Sequence, residues 1–219
     1  MPSNTTVTLF NTADGVVIGS WKAPAAVTEL SFHPTLPSLV GVLVDNRVVA
    51  WSTLFEAGQP LPTEFGKVGM ELPHPSAVKG FAIAGDTLVS AGDDKKARVW
   101  KFVADAPSRN LQHPSGVNAV AFDKTGTLLA TGGQDGILRI FDLSKKDNPA
   151  PKAINAHVPP QPATPRAIYS IVWTPDAKQV ITGSDDKSVK IWDVAAGTLV
   201  REIKPGLDKP PTPEEVKTA

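Results

Sequence analysis

Cysteine is absent from all 219 residues, which rules out disulfides, zinc–thiolate sites and thiol nucleophiles. That absence fits reducing and oxidising compartments alike, so it assigns no compartment. An excess of one charge is also missing, because 22 basic residues balance 22 acidic ones. A nucleic-acid backbone or an anionic membrane asks for clustered Lys and Arg, and neither is an expected partner. No stretch approaches about 18 consecutive apolar residues, and the opening "MPSNTTVTLFNTADG" lacks a basic region leading into an apolar run. No membrane span or signal peptide is expected. Since 41% of residues are hydrophobic, a soluble globular protein with a sizeable core is expected.

What is present is repetition. "VITGSDDKSVKIWD" (180–193) has copies in "LVSAGDDKKARVWK" (88–101) and "LLATGGQDGILRIFD" (128–142), with weaker copies in "LVGVLVDNRVVAWS" (39–52) and "TTVTLFNT" (5–12). Aligned on their aromatic residues, these place Phe10, Trp51, Trp100, Phe141 and Trp192 at spacings of 41, 49, 41 and 51 residues. A period of this size suits one four-stranded blade per repeat. Each copy alternates apolar and polar residues, as strands do. Upstream of each lies a second apolar run, such as "VNAVAFDKTG" (117–126) and "IYSIVWTPD" (168–176), whose apolar positions step by three and then by two. A step of three inside a strand predicts a β-bulge. Each unit therefore reads as strands a, b, c and d, and in the last unit Gly197 stands where a tight c–d hairpin wants positive φ.

At these residues the chain resembles the WD-repeat β-propeller family, whose repeat carries a His before strand a and Trp-Asp closing strand c. The resemblance covers about residues 5–203 and implies an all-β arc of four complete four-stranded antiparallel blades plus an N-terminal half blade. The expected spans are 5–22 for the half blade, then about 25–72, 77–113, 116–155 and 167–203, with 204–219 as a Pro-rich charged tail or linker. The family's His, Ser/Thr, Asp and Trp network maps onto His157, Thr182, Asp186 and Trp192, and onto His74, Ser90, Asp94 and Trp100. A third set, His113, Thr131 and Asp135, meets Phe141 in place of Trp and so lacks the indole donor. The first repeat keeps Asp45 and Trp51 but has Gly41 at the hydroxyl position and no His. In "SDDK", Asp186 is expected to cap its turn and accept from His157, which leaves Asp185 pointing outward.

The histidines do not suggest a metal site. His74, His113 and His157 are 39 and 44 residues apart, in equivalent slots of successive blades that cannot converge on one ion. His33 is expected at an exposed a–b turn. "TGGQDG" and "TGSDDK" read as b–c turns, not phosphate loops, and no nucleophile elbow is present. No cofactor and no catalysis are expected. In the family, partners contact residues beside the bulge and just before the turn aspartate. That implicates Lys79, Asn118 and Tyr169, with Asp93, Gln134 and Asp185, in binding a protein or peptide. Tyr169, the only tyrosine, is either an anchor or a residue partly buried between blades. The Pro-rich stretch 156–168 is either a clamp over this face or a surface insertion, and 52–72 either packs under the blades or meets another chain.

Four and a half blades do not make the seven-bladed ring usual in the family, which at this period would need roughly 110 further residues. The expected function is a non-catalytic scaffold presenting its loops to a partner, as a piece of a longer propeller. The alternative is a self-assembly module whose uncovered blade faces form an oligomer or complete a ring with a second chain. A propeller attached to a catalytic domain is the third reading.

Overall fold

Period-two alternation produces strands throughout. The computed structural model describes residues 5–102, 108–145, 150–158 and 164–204, and among these residues there are eighteen β-strands and no helix. β1 (Thr6–Phe10) and β2 (Val17–Lys22) form a two-stranded antiparallel half blade. The first complete blade is β3 (Val27–Phe32), β4 (Ser38–Leu43), β5 (Arg47–Ser52) and β6 (Val68–Pro73), and the second is β7 (Val78–Ala84), β8 (Thr87–Gly92), β9 (Lys96–Lys101) and β10 (Arg109–Gln112). The third is β11 (Val117–Phe122), β12 (Leu128–Gly133), β13 (Leu138–Asp142) and β14 (Lys152–Ile154). The fourth is β15 (Ile168–Trp173), β16 (Gln179–Ser184), β17 (Val189–Asp193) and β18 (Leu199–Ile203). The all-β arc of four blades and a half blade holds. The tail 205–219 and residues 159–163 of the Pro-rich stretch lie outside the described residues.

The stepped apolar spacing becomes a bulge in every inner strand. Register shifts fall between Val27 and Glu29, Val78 and Gly80, Val117 and Ala119, and Ile168 and Ser170. The extra residue in each case, Thr28, Lys79, Asn118 or Tyr169, has no opposite number in the neighbouring strand. Across the b–c turns, the residue after the aspartate is left-handed in all four blades: Asn46, Lys95, Gly136 and Lys187. Gly197 also takes the positive φ that its hairpin requires.

Packing occurs between blades, with one apolar cluster at each junction. Val7, Trp51 and Leu39 join the half blade to the first blade, and Val40, Leu72, Leu88 and Trp100 join the first to the second. Val89, Leu111, Leu129 and Phe141 join the second to the third, and Leu138, Ile168, Trp173 and Trp192 join the third to the fourth. A strand covered on both faces has no solvent side on which to place polar residues. β4, β8 and β12 are each buried at five of six positions, whereas β16, with a neighbour on one side only among the described residues, is buried at two of six. The uncovered faces leave Leu30 and Phe32 46% and 58% exposed at one end, and Val172 and Val200 58% and 53% exposed at the other.

Two placements in this region differ from or decide the sequence reading. His33 is not exposed: its ring is 5% accessible and packs edge-on to Phe102 of the second blade at 4.3 Å. The reason is local, because its Nδ1 accepts the turn amides of Thr35 and Leu36 at 3.2 and 3.0 Å and so draws the ring inward. The c–d insertion of the first blade folds back on the half blade, with Phe65 T-shaped against Trp21 at 5.4 Å. Gly19 permits this approach, since a Cβ there would lie 2.6 Å from Phe65 Cε1 and 2.7 Å from Leu61 Cδ1.

Trp100 is 2% exposed within the junction between the first and second blades, so Trp100→Ala is expected to cost roughly 3–5 kcal/mol through the cavity it leaves. Asp185→Ala, at an exposed turn, is expected to cost less than about 0.5 kcal/mol. Chemical denaturation of both variants checks the order, and a larger loss for Asp185→Ala would contradict it.

Candidate functional site

Histidines that follow strand d of one blade reach into the next blade. In the fourth blade the indole Nε1 of Trp192 donates to Thr182 Oγ1 at 3.1 Å, and Thr182 meets His157 Nε2 at 2.8 Å. With its proton on Nδ1, His157 donates to Asp186 Oδ2 at 2.7 Å. The same carboxylate accepts the backbone N–H and the hydroxyl of Ser188 at 2.8 and 2.6 Å. One chain of polarised hydrogen bonds thus ties strands b and c, the b–c turn and the preceding blade together.

The second and third blades build a shorter chain. Trp100 donates to Ser90 Oγ at 2.8 Å, and Ser90 meets His74 Nε2 at 2.6 Å, but His74 Nδ1 is bonded to the carbonyl of Leu72 at 3.0 Å. His113 likewise meets Thr131 at 2.9 Å and the Leu111 carbonyl at 2.9 Å, while Phe141 supplies no donor. The expectation that Asp94 and Asp135 accept from these histidines is therefore corrected. Asp94 pairs with Arg98, and Asp135 pairs with Arg139 at 2.6 Å. Four positions after the turn aspartate, an arginine brings a planar fork to the carboxylate. The fourth blade has Lys190 there, which lies 3.8 Å from Asp186 and donates to the Ala156 carbonyl at 3.1 Å, leaving the carboxylate to His157. Sequence reasoning missed Arg98 and Arg139, and the i, i+4 spacing in "DDKKAR" and "DGILR" was the signal. In the first blade a Cβ on Gly41 would lie 2.7 Å from the Trp51 ring, so the missing hydroxyl makes room for that ring.

Titration follows from this burial. Burial holds the His74, His113 and His157 imidazoles below their ordinary value, against the opposing pull of carbonyl or carboxylate partners. At Asp186 burial pushes the carboxyl up, but hydrogen bonds from Ser188 and His157 outweigh it and hold the group at about 2. Burial also raises Asp94, and the Arg98 guanidinium overcomes it and leaves that carboxyl low.

The bulges and b–c turns form the exposed face. In all four blades the residue before the turn aspartate donates its N–H to the segment ahead of strand a: Val44 to Ala26 at 2.9 Å, Asp93 to Ala77 at 3.2 Å, Gln134 to Gly116 at 3.0 Å and Asp185 to Ala167 at 3.2 Å. Each bulge residue therefore sits beside its own b–c turn. Lys79 pairs with Asp93 at 3.4 Å, and Asn118 Nδ2 donates to the Ile168 carbonyl of the next blade at 3.2 Å. Gln134 lies over Gly116, where a Cβ would meet its Nε2 at 2.8 Å. Tyr169 is 62% exposed and not sandwiched between blades, and Asp185 is exposed beside it in sequence register. The first blade contributes residues that sequence reasoning passed over. Thr28 and Val44 stand at its bulge and before its turn aspartate, and with Glu29, Asn46, Val78 and Lys79 they line an open groove of about 430 Å³ between the first and second blades. Partial desolvation raises the carboxyl of Glu29, which stays exposed at its surface. Among the described residues no group of three or more His, Asp and Glu side chains is placed to hold a metal ion, and no helix is long and apolar enough to cross a membrane.

Four-stranded blades packed face to face, a bulge in every inner strand and histidines that staple each blade to the next define a WD-repeat β-propeller arc. The chain belongs to that family, with residues 76–212 matching the model described as Nucleolar protein 10-like, N-terminal domain. It is similar to the Serine-threonine kinase receptor-associated protein of Mus musculus, 35% identical over 138 residues that make 62% of this chain and 37% of the relative. A subunit of chromatin assembly factor 1 from Saccharomyces cerevisiae is 26% identical over 155 residues, 53% of this chain and 33% of that protein. Target of rapamycin complex subunit LST8 of the same yeast is 32% identical over 119 residues, 53% of this chain and 36% of that protein. The chain spans about a third of the length of these curated relatives.

Acid should weaken the staples. A histidine whose folded pKa is depressed contributes stability that is complete above its unfolded value near 6.5 and is lost as pH falls through the lower folded value. The depressed Asp186 carboxyl adds a loss only between about 4 and 2. The urea midpoint is expected to fall from pH 7.5 to pH 5.0, and the fall should shrink in His113→Gln. A midpoint that is flat or rises on acidification would contradict neutral buried imidazoles.

Proposed function

We propose that this chain is a non-catalytic protein-interaction scaffold that holds a protein or peptide partner on the face made by its bulges and b–c turns. The observation that carries the reading is the fourfold repetition of a side-chain pair, bulge residue beside pre-turn residue, exposed except at the half-buried Asn118, on a backbone fixed by the same hydrogen bond in each blade. Around that repeat the chemistry varies from Thr28 and Val44, through the Lys79–Asp93 ion pair and Asn118 with Gln134, to Tyr169 and Asp185. A fixed frame with variable tips suits selective recognition of an extended chain. Tyr169 serves as the anchor, because it offers a large apolar ring and a hydroxyl on a strand already held in the sheet. The names of the relatives support protein partners, since they describe a receptor-associated protein, a component of a chromatin assembly factor and a component of a target of rapamycin complex. The reading needs no cofactor.

A second reading rests on a different observation. Leu30 and Phe32 at one end, and Val172 and Val200 at the other, leave sheet faces uncovered. Faces of this kind support assembly with a second copy or completion of the ring by further blades. Light scattering after size exclusion separates this reading: a discrete oligomer supports it, and a monodisperse closed monomer at every concentration contradicts it.

Peptides selected from a random library on the immobilised chain test the scaffold reading. Binding is expected to fall at least tenfold in the Tyr169→Ala, Asp185→Ala double variant and in Lys79→Ala, with the solution mass unchanged. Selected peptides that bind these variants as well as the parent chain would overturn the assignment of the face.

A further inference from the structure

A second surface, remote in sequence from the bulge residues of the later blades, lies where the first blade's c–d insertion covers the half blade. The insertion is tightly seated there. Gly66, at φ +74°, places its backbone where a Cβ would lie 2.7 Å from the Trp21 ring, and Phe55 closes the stack edge-on to Phe65 at 6.2 Å. A loop this well packed would be expected to bury its apolar side chains. Instead an open cavity of about 450 Å³ remains along its seam with the half blade, floored by Val16, Val17, Ile18, Phe55 and Leu61. Val16 is 60% exposed, and Val17, Leu54 and Leu61 are exposed beside it. A second cavity of about 380 Å³ continues from it past Pro60 and Pro62. Both volumes fall in the range of side-chain and ligand pockets.

The charges at this seam have one sign. Among the described residues Asp14 and Glu56 are the only ionisable residues lining the larger cavity, and neither is ion-paired there, whereas Glu64 holds Lys67 at 2.7 Å. Asp14 is fixed in place, its Oδ1 accepting the Val16 N–H at 3.0 Å and its Oδ2 the Asn11 amide at 3.3 Å. An apolar floor flanked by two unpaired carboxylates complements an apolar side chain flanked by cations. We propose that this seam is a second docking surface, occupied by a partner-protein segment that inserts a large apolar side chain between Val17, Phe55 and Leu61 and sets Lys or Arg against Asp14 and Glu56.

The test uses the whole chain, isotopically labelled, titrated with the acetylated peptide Arg-Lys-Leu-Trp-Leu-Lys-Arg and with its counterpart carrying Glu at every cationic position. The basic peptide is expected to shift the amides of Val17, Ile18, Ala57 and Gly58 saturably, and the acidic peptide to bind at least tenfold more weakly. Asp14→Asn with Glu56→Gln, which keeps the side-chain shapes, should cut binding of the basic peptide at least fivefold while Tyr169→Ala leaves it unchanged. Equal binding of both peptides, no shifts, shifts confined to the bulge residues, or seam shifts produced by concentrating the chain alone would each overturn the proposal, the last by showing a second copy to be the occupant.

Discussion

Coverage of one blade by the next is the constraint from which the rest of the structure follows. A four-stranded sheet with apolar residues on both faces depends on cover from its neighbours, and among the described residues the second and third blades are covered on both sides while the fourth is covered on one. The four apolar clusters lie at the four junctions, and none is internal to one sheet. Burial therefore depends on position in the stack and not on blade sequence alone. "LVSAG" in β8 and "VITGS" in β16 are near copies, yet β8 is buried at five of six positions and β16 at two of six.

Polar ties set the spacing that this packing permits. The histidine staples act at strand b of the three junctions between complete blades, and other links act elsewhere. Trp173 Nε1 donates to the Ala121 carbonyl at 3.0 Å between innermost strands. Arg109 donates to the carbonyls of Leu143 and Lys145, and Lys152 to that of Val194 at 2.8 Å, so an outermost strand grips the c–d turn of the following blade. All three use a side chain to satisfy a carbonyl in the adjacent blade, which a displaced blade would leave unpaired. These ties fix the blades against one another, while the side chains at the bulges and b–c turns differ from blade to blade.

Much of this was legible in the sequence because it is periodic. The two-residue alternation located the strands, the step of three located all four bulges, and the recurring aromatic gave the blade count. What escaped depended on residues outside the repeat's own pattern. Whether a turn aspartate bonds a histidine is decided by Arg98, Arg139 or Lys190 four positions later, a competition that the His, Ser/Thr, Asp and Trp pattern does not contain. His33 lies buried because its own turn amides bond its ring and Phe102, far along the chain, covers it. The seating of the insertion depends on Gly19 and Gly66, two ordinary-looking glycines whose missing Cβ atoms matter only once Phe65 and Trp21 are in place. Thr28 and Val44 carried the right spacing but belonged to a repeat whose staple is incomplete.

Native-state hydrogen exchange of the backbone amides measures coverage directly, strand by strand. Mutual coverage predicts the slowest exchange in β8 and β12, sandwiched on both sides, with β16 intermediate and the half-blade strands β1 and β2 fastest. Equal protection in all five sheets, or β16 exchanging more slowly than β8 and β12, would contradict the claim that each blade is stabilised by its neighbours.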